Sequence, residues 1–146
     1  MLENVRQRYV KLLYQPNEGI SMIKVKADRI AVPDRSSELI ASLNKLRSRA
    51  DIGPHILDVR GLGLMIGVEF ASPSSVSVYD PNTLAGAPKN LASRVAKRCL
   101  ERGVLILTTS VYEVVRFIPP LNVSADEMAE GIEIFTQAVE EVVKEG

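Results

Sequence analysis

Residues 124–142 constrain the fold more than any other stretch of this sequence. Ser124 and Glu127 stand three apart as a capping box, and Met128, Ile132, Phe135, Val139 and Val142 follow at steps of four, three, four and three. A helix carrying such a stripe leaves it in water unless a second layer covers it, so the stripe predicts a sheet packed beneath this helix. At 146 residues the chain has the size of one ordinary domain, and a domain of that size buries roughly 70% of its unfolded surface.

Upstream patterns supply the layer. In "ILDVRGLGLMIGVEF", residues 56–70, Leu64, Ile66, Val68 and Phe70 alternate with Met65, Gly67 and Glu69, the two-residue rhythm of a half-buried strand. A hairpin is expected, with "ILDVR" going out, Gly61-Leu62 as a type II′ turn and "LMIGVEF" returning. "VLIL", residues 104–107, reads as a short central strand, and "VVRFI", residues 114–118, as another, halted by Pro119 and Pro120, which donate nothing to a ladder. Helices are expected over residues 36–49, with Leu39, Leu43 and Leu46 on one face and Arg47 and Arg49 near the C-terminal end, and from Asn90, with Leu91, Val95 and Cys99 on one face and Gly103 at C′. Residues 71–89 lack either period and read as a long surface loop. These elements predict an α+β fold: a small, mostly antiparallel sheet of about four strands with helices on one face.

The three glycines of "VRGLGLMIGVEF" invite comparison with a phosphate-binding loop. Their spacing, Gly61, Gly63 and Gly67, is one residue longer than G-x-G-x-x-G, and a strand rather than a helix follows. Nucleotide binding is therefore not expected. Lysine plus arginine (18) balance aspartate plus glutamate (18), so no global field draws the chain to nucleic acid or a membrane surface. One cysteine excludes an internal disulfide framework, and one histidine leaves little material for a zinc site. The start "MLENVRQRYVKLL" lacks the apolar run of a signal peptide, and no stretch approaches the roughly 18 apolar residues of a membrane span. An intracellular location, cytoplasmic or mitochondrial, is expected.

Few residues offer chemistry by themselves. His55 has no serine, cysteine or carboxylate partner placed by sequence and reads as a strand-end residue. Cys99 lies on an apolar helix face and reads as core. Asp126, Glu127 and Glu130 fall in the first turns of a helix, where the macrodipole accounts for acids. Arg116 resists such treatment, because it lies between Val115 and Phe117 and shares its face with Val114 and Ile118. Either it occupies the solvent face of an edge strand, or it is paired with an anion. The planar guanidinium is the side chain suited to bidentate capture of a carboxylate.

Three stretches in order, "DVRGLGLMIGVEF", "APKNLASRVAKRCLERGVLIL" and "VVRFIPPLNVSADEMAEGIEIFTQAVEEV", resemble the C-terminal small domain of class III pyridoxal-phosphate aminotransferases. The nearest likeness is to 4-aminobutyrate aminotransferases, and "LTTSVYEVVRFIPPLN" resembles their fungal or microbial relatives. The resemblance covers residues 36–146 and implies an antiparallel sheet with helices on one face. It also implies that the arginine of the R-F-x-P-P-L motif, here Arg116, binds a substrate carboxylate. The implied reaction transfers an amino group from an ω-amino acid, 4-aminobutyrate or similar, to a 2-oxo acid, with pyridoxal phosphate as electron sink and a homodimer as the assembly.

The same resemblance implies that the large domain, with its Schiff-base lysine and phosphate-binding residues, lies upstream of these motifs and that this chain is a C-terminal portion. No lysine, including Lys24, Lys26 and Lys89, stands in a context like that of the cofactor lysine, so the chain alone is expected neither to hold the cofactor nor to turn over. Residues 1–35 match nothing in the resemblance. Joining Arg8 to Ser36 puts Leu2, Val5, Leu39, Leu43 and Leu46 in one 3.6-residue phase, so residues 9–35 read as an in-frame insertion in which Pro16, Gly19 and Pro33 break the helix. The alternative is an added β-hairpin in which "ISMIKVKADRIAV" pairs as a strand. Three kinds of function follow: a portion of an aminotransferase, a non-catalytic module that binds small carboxylates or an aminotransferase subunit, and a regulatory α+β domain of unrelated ancestry.

Overall fold

The computed structural model describes residues 22–73, 84–109 and 112–146, with side chains from Pro33 onward. Among the described residues three helices and four strands follow one another as α1 (Met22–Arg47), a single 3-10 turn (Gly53–His55), β1 (Ile56–Leu62), β2 (Met65–Phe70), α2 (Leu91–Glu101), β3 (Leu107–Thr108), β4 (Val114–Phe117) and α3 (Ala125–Glu145). The strands form one antiparallel sheet in the order β1-β2-β4-β3. This is the α+β architecture that the sequence pattern predicts.

Helix α3 forms as its sequence dictates. Ser124 Oγ accepts from the Glu127 amide and the Glu127 carboxylate accepts from the Ser124 amide, so two of the helix's orphan donors are satisfied. Met128, Phe135, Val139 and Val142 are buried, together with Ala138. Phe135 meets Phe117 edge-on at 4.9 Å between ring centroids and Phe70 at 6.4 Å, which seats the stripe on β2 and β4. Ile66, Val68, Phe70, Val115 and Phe117 from the sheet join Leu39 and Leu43 of α1, Leu91 and Val95 of α2 and the stripe of α3 in one core. All three helices therefore cover the same face of the sheet.

The hairpin is present, but its turn lies two residues further on than expected. Leu62 pairs with Met65, so Gly63 and Leu64 are the central residues, and Gly63 carries the positive φ of +58° that a primed turn requires at its first central position. Gly61 stays within β1, where a Cβ would stand 2.1 Å from the Met65 carbonyl oxygen. It is needed for close backbone approach rather than for turning. The turn is pinned from the helical side, since Ser36 Oγ donates to the Gly63 carbonyl at 2.6 Å.

Two further expectations are corrected. Residues 104–107 do not make a central strand: β3 has only two residues and lies at the sheet's edge. Ile106 alone of its leucine and isoleucine residues is buried, while Leu105 is 75% exposed. Pro33 does not break a helix, for α1 runs through it. A proline inside a helix loses one hydrogen bond at a cost of about 3 kcal/mol, and the following turns are held by Leu39, Leu43 and Leu46, each buried in the core. From Met22 onward the segment is helical rather than a strand of a hairpin; Pro16, Gly19 and the rest of residues 9–21 lie outside the described residues. Of the expected loop at 71–89, residues 74–83 also lie outside them. Helix α2 closes as expected, with Gly103 at φ +88° and the Val104 and Gly103 amides returning to the Cys99 and Leu100 carbonyls, the Schellman pattern.

Candidate functional site

Strand alternation gives the sheet a second face, opposite the helices. Arg60, Gly67, Arg116 and Leu107 form one row across β1, β2, β4 and β3 on that face, because their neighbours Val59, Val68 and Val115 point to the helical side. The adjacent row carries Asp58, Glu69 and Val114. Beyond Arg116, towards the hairpin turn, Leu62, Met65 and Ile118 are exposed on the same side, as is Leu107.

The two arginines of the row differ in their electrostatic surroundings. Arg60 donates to Asp58 at 2.9 Å and to Glu69, and these two carboxylates, Asp58 foremost, hold its guanidinium above the usual range. Arg116 is exposed and has no carboxylate within reach among the described residues. Every other arginine whose side chain is described has an acidic partner: Arg35 with Glu38, Arg47 with Asp58, Arg49 with Asp51 and Glu140, Arg94 and Arg98 with Glu145, and Arg102 with Glu141. Sequence reasoning left Arg116 either on the solvent face of an edge strand or paired with an anion. The structure corrects the edge position, since its strand is an inner one flanked by β2 and β3, and leaves the guanidinium exposed with no acidic partner among the described residues.

The remaining candidates are structural. His55 ends the 3-10 turn, its carbonyl accepts from Ala71, and its buried Nδ1 has no hydrogen-bond partner. Cys99 is fully enclosed on α2, and burial pushes its thiol up to about 11, against a smaller opposing effect of Arg102. Such a thiol is a poor nucleophile. Asp126 and Glu127 lie in the first turn of α3. A role that sequence reasoning missed belongs to Glu113, whose carboxylate accepts from the Ala92 amide at 2.8 Å. It caps α2 from a distant part of the chain, where the N-cap residue Asn90 makes no side-chain cap.

Among the described residues no group of three or more His, Cys, Asp or Glu is placed to hold a metal ion. A hollow between α1 and α3 is lined by Glu38, Ser42, Met128, Ile132 and Glu133, on the helical side and away from Arg116. Its carboxylates repel an anion. No helix among the described residues is long and apolar enough to cross a membrane.

Comparison with known proteins shows the family. Residues 20–139 match the family Aminotransferase class-III. An acetylornithine aminotransferase of Clostridium acetobutylicum is 30% identical over 118 residues, 81% of this chain and 25% of that protein. A 4-aminobutyrate aminotransferase of Mycobacterium leprae is 34% identical over 95 residues, 64% of this chain and 19% of its own length. A transaminase from the marine bacterium Virgibacillus superposes with a TM-score of 0.68 at 22% identity, covering 86% of this chain and 27% of that one, and so shares the fold. The chain spans about a quarter of the length of the curated relatives it matches. The relatives name different substrates at similar identity, so the likeness is to the class and not to 4-aminobutyrate aminotransferases in particular.

Proposed function

The chain belongs to the class III aminotransferases, and from that premise we propose that it supplies the substrate-carboxylate clamp of an enzyme that moves an amino group from an ω-amino acid to a 2-oxo acid. The observation that carries this reading is Arg116: among arginines whose side chains are described, the one without an acidic partner, held on an inner strand on the face opposite the helices. An exposed guanidinium on a rigid strand is oriented in advance, and its fork offers two parallel donors to a carboxylate. Gripping the carboxylate fixes the far end of the substrate and so places its amine for reaction.

The family is pyridoxal-phosphate dependent. The lysines whose side chains are described are not placed to hold that cofactor beside Arg116. Lys45, Lys89, Lys97 and Lys144 are exposed on helices or turns, and none lies on the sheet face with Arg116. This chain's part in the reaction is therefore binding and orientation, with the cofactor held elsewhere in the complete enzyme, whose assembly we take to be a homodimer. We take the amino donor to be 4-aminobutyrate or a similar acid with a terminal amine; acetylornithine, named for another relative, also pairs a terminal amine with a carboxylate.

The test is Arg116→Lys in an enzyme where this segment occupies the place of its counterpart in the relatives. Lysine keeps the charge and loses the fork. A charge-assisted contact of about 1.5 to 3 kcal/mol predicts a roughly 10- to 150-fold fall in kcat/KM for an ω-amino acid and for a 2-oxo acid, and a much smaller fall for a plain alkylamine. Equal losses on all three substrates would make Arg116 a structural residue.

A further inference from the structure

Gly67 occupies the middle of an inner strand, directly between Arg60 on one side and Arg116 on the other. Glycine in a strand interior weakens the strand, by roughly 0.5 to 1 kcal/mol relative to alanine, and marks a bend, a bulge or a close approach. None of these holds here. Its φ is not positive, and the ladder runs without a register shift through Val59, Arg60 and Gly61 opposite it. A Cβ built on Gly67 would meet only ordinary contacts, the Arg60 carbonyl oxygen at 3.7 Å, Val114 Cγ1 at 3.7 Å and the Val115 carbonyl oxygen at 3.9 Å. Gly61, one row away, is the opposite case, since backbone stands 2.1 Å from its Cβ position. The fold requires glycine at 61 and does not require it at 67.

What position 67 does control is the space beside the free guanidinium. Any side chain there would rise from the sheet between the two arginines. On the β3 side of Arg116 the row is already occupied by Leu107, and Cγ1 of Val114, in the adjacent row of the same face, lies 3.7 Å from where a Gly67 Cβ would stand and gives the space an apolar side. We propose that Gly67 is a specificity-determining residue: its missing side chain is the slot through which the carbon chain of a carboxylate lies over the sheet while its carboxylate is held by Arg116. Arg60 closes the far side of the slot and, neutralised by Asp58 and Glu69, does not compete for the anion. The inference rests on Arg116 being a carboxylate clamp and adds which side of Arg116 the ligand occupies.

The experiment uses the full chain with 15N-labelled arginine and follows the Arg116 Nε–H resonance, assigned with Arg116→Lys, while 4-aminobutyrate is added, with butylamine as the control lacking a carboxylate. The unsubstituted chain is expected to give a saturable shift with 4-aminobutyrate and none with butylamine. Gly67→Ala is expected to weaken that binding about tenfold and Gly67→Val to abolish the saturable shift, with the thermal midpoint of Gly67→Ala no lower than that of the parent. No saturable shift in the unsubstituted chain would overturn the clamp and the slot together. Binding that is saturable in the parent and unchanged in Gly67→Ala would overturn the slot alone and leave the clamp standing. Gly67→Ala decides the matter even if Gly67→Val does not fold, because its added methyl group meets only ordinary contacts.

Discussion

On the helical face of the sheet Ile66, Val68 and Val115 are wholly enclosed, whereas on the opposite face Leu62 is 90% exposed and Met65 and Ile118 about half exposed. The two faces are made by the same strands, alternate residue by alternate residue, yet they carry different duties. Enclosed residues set stability through area removed from water and through close packing. The opposite face is enclosed only in part, at Val114, and it carries one arginine neutralised by two acids and another with no carboxylate within reach among the described residues. A fold that keeps its core on one side of a sheet can alter the other side without unfolding.

The largest expected effect that could break this contrast lies on the enclosed side. Phe135→Ala removes the ring that touches both Phe70 and Phe117 and is expected to cost about 3 to 5 kcal/mol in chemical denaturation. A loss below 1 kcal/mol would mean that the helices and sheet do not share one core. The second effect is pH dependent. Burial raises the Cys99 thiol from an ordinary value of 9.0 to about 11, so between these values the unfolded chain has lost a proton that the native chain retains. Stability falls as pH rises through that window, on the order of 2 kcal/mol at its upper end, and is unaffected by this group below it. Denaturation midpoints of the parent and Cys99→Ala should therefore converge above pH 9; parallel curves would show the thiol to be reached by water.

Smaller effects sharpen the comparison. Ser124→Ala removes the reciprocal cap of α3, the helix that carries much of the enclosed side, and is expected to cost about 1 kcal/mol, read as a shift in denaturant midpoint at unchanged slope. Leu62→Ser, on the open face, is expected to change stability by less than about 0.5 kcal/mol. A loss as large as that at Ser124 would show that burial on this face extends beyond Val114 to Leu62 and end the distinction between the two sides.

Much of the scaffold is legible without coordinates, because its signals are local. The capping box and stripe of α3, the alternation of β2 and the closure of α2 at Gly103 depend on residues within a turn or two of one another. The turn of the hairpin is less legible: Gly61 and Gly63 are equivalent to a reader of turn chemistry, and only the backbone distance across the hairpin shows that Gly61 answers to crowding and Gly63 to a positive φ. The fate of "VLIL" is likewise not local. An apolar run reads as central, and β3 is at the edge because β4, not β3, pairs with β2.

Arg116 shows where the division falls. That an arginine stands in an apolar strand, with a face shared by Val114 and Ile118, is written in the sequence. Whether its charge is free was decided only in three dimensions. Strand pairing brings Glu69 across from Asp58 on the adjacent strand and places both beside Arg60, while the neighbours of Arg116 in its row are Gly67 and Leu107. Glu113 likewise caps α2 only because β4 begins near the first turn of that helix. Sequence determined what depends on the 3.6- and two-residue periods, since both faces of an element follow from its own residues. Tertiary structure decided partners, because which acid meets which base depends on strands that are distant in the chain becoming neighbours in the sheet.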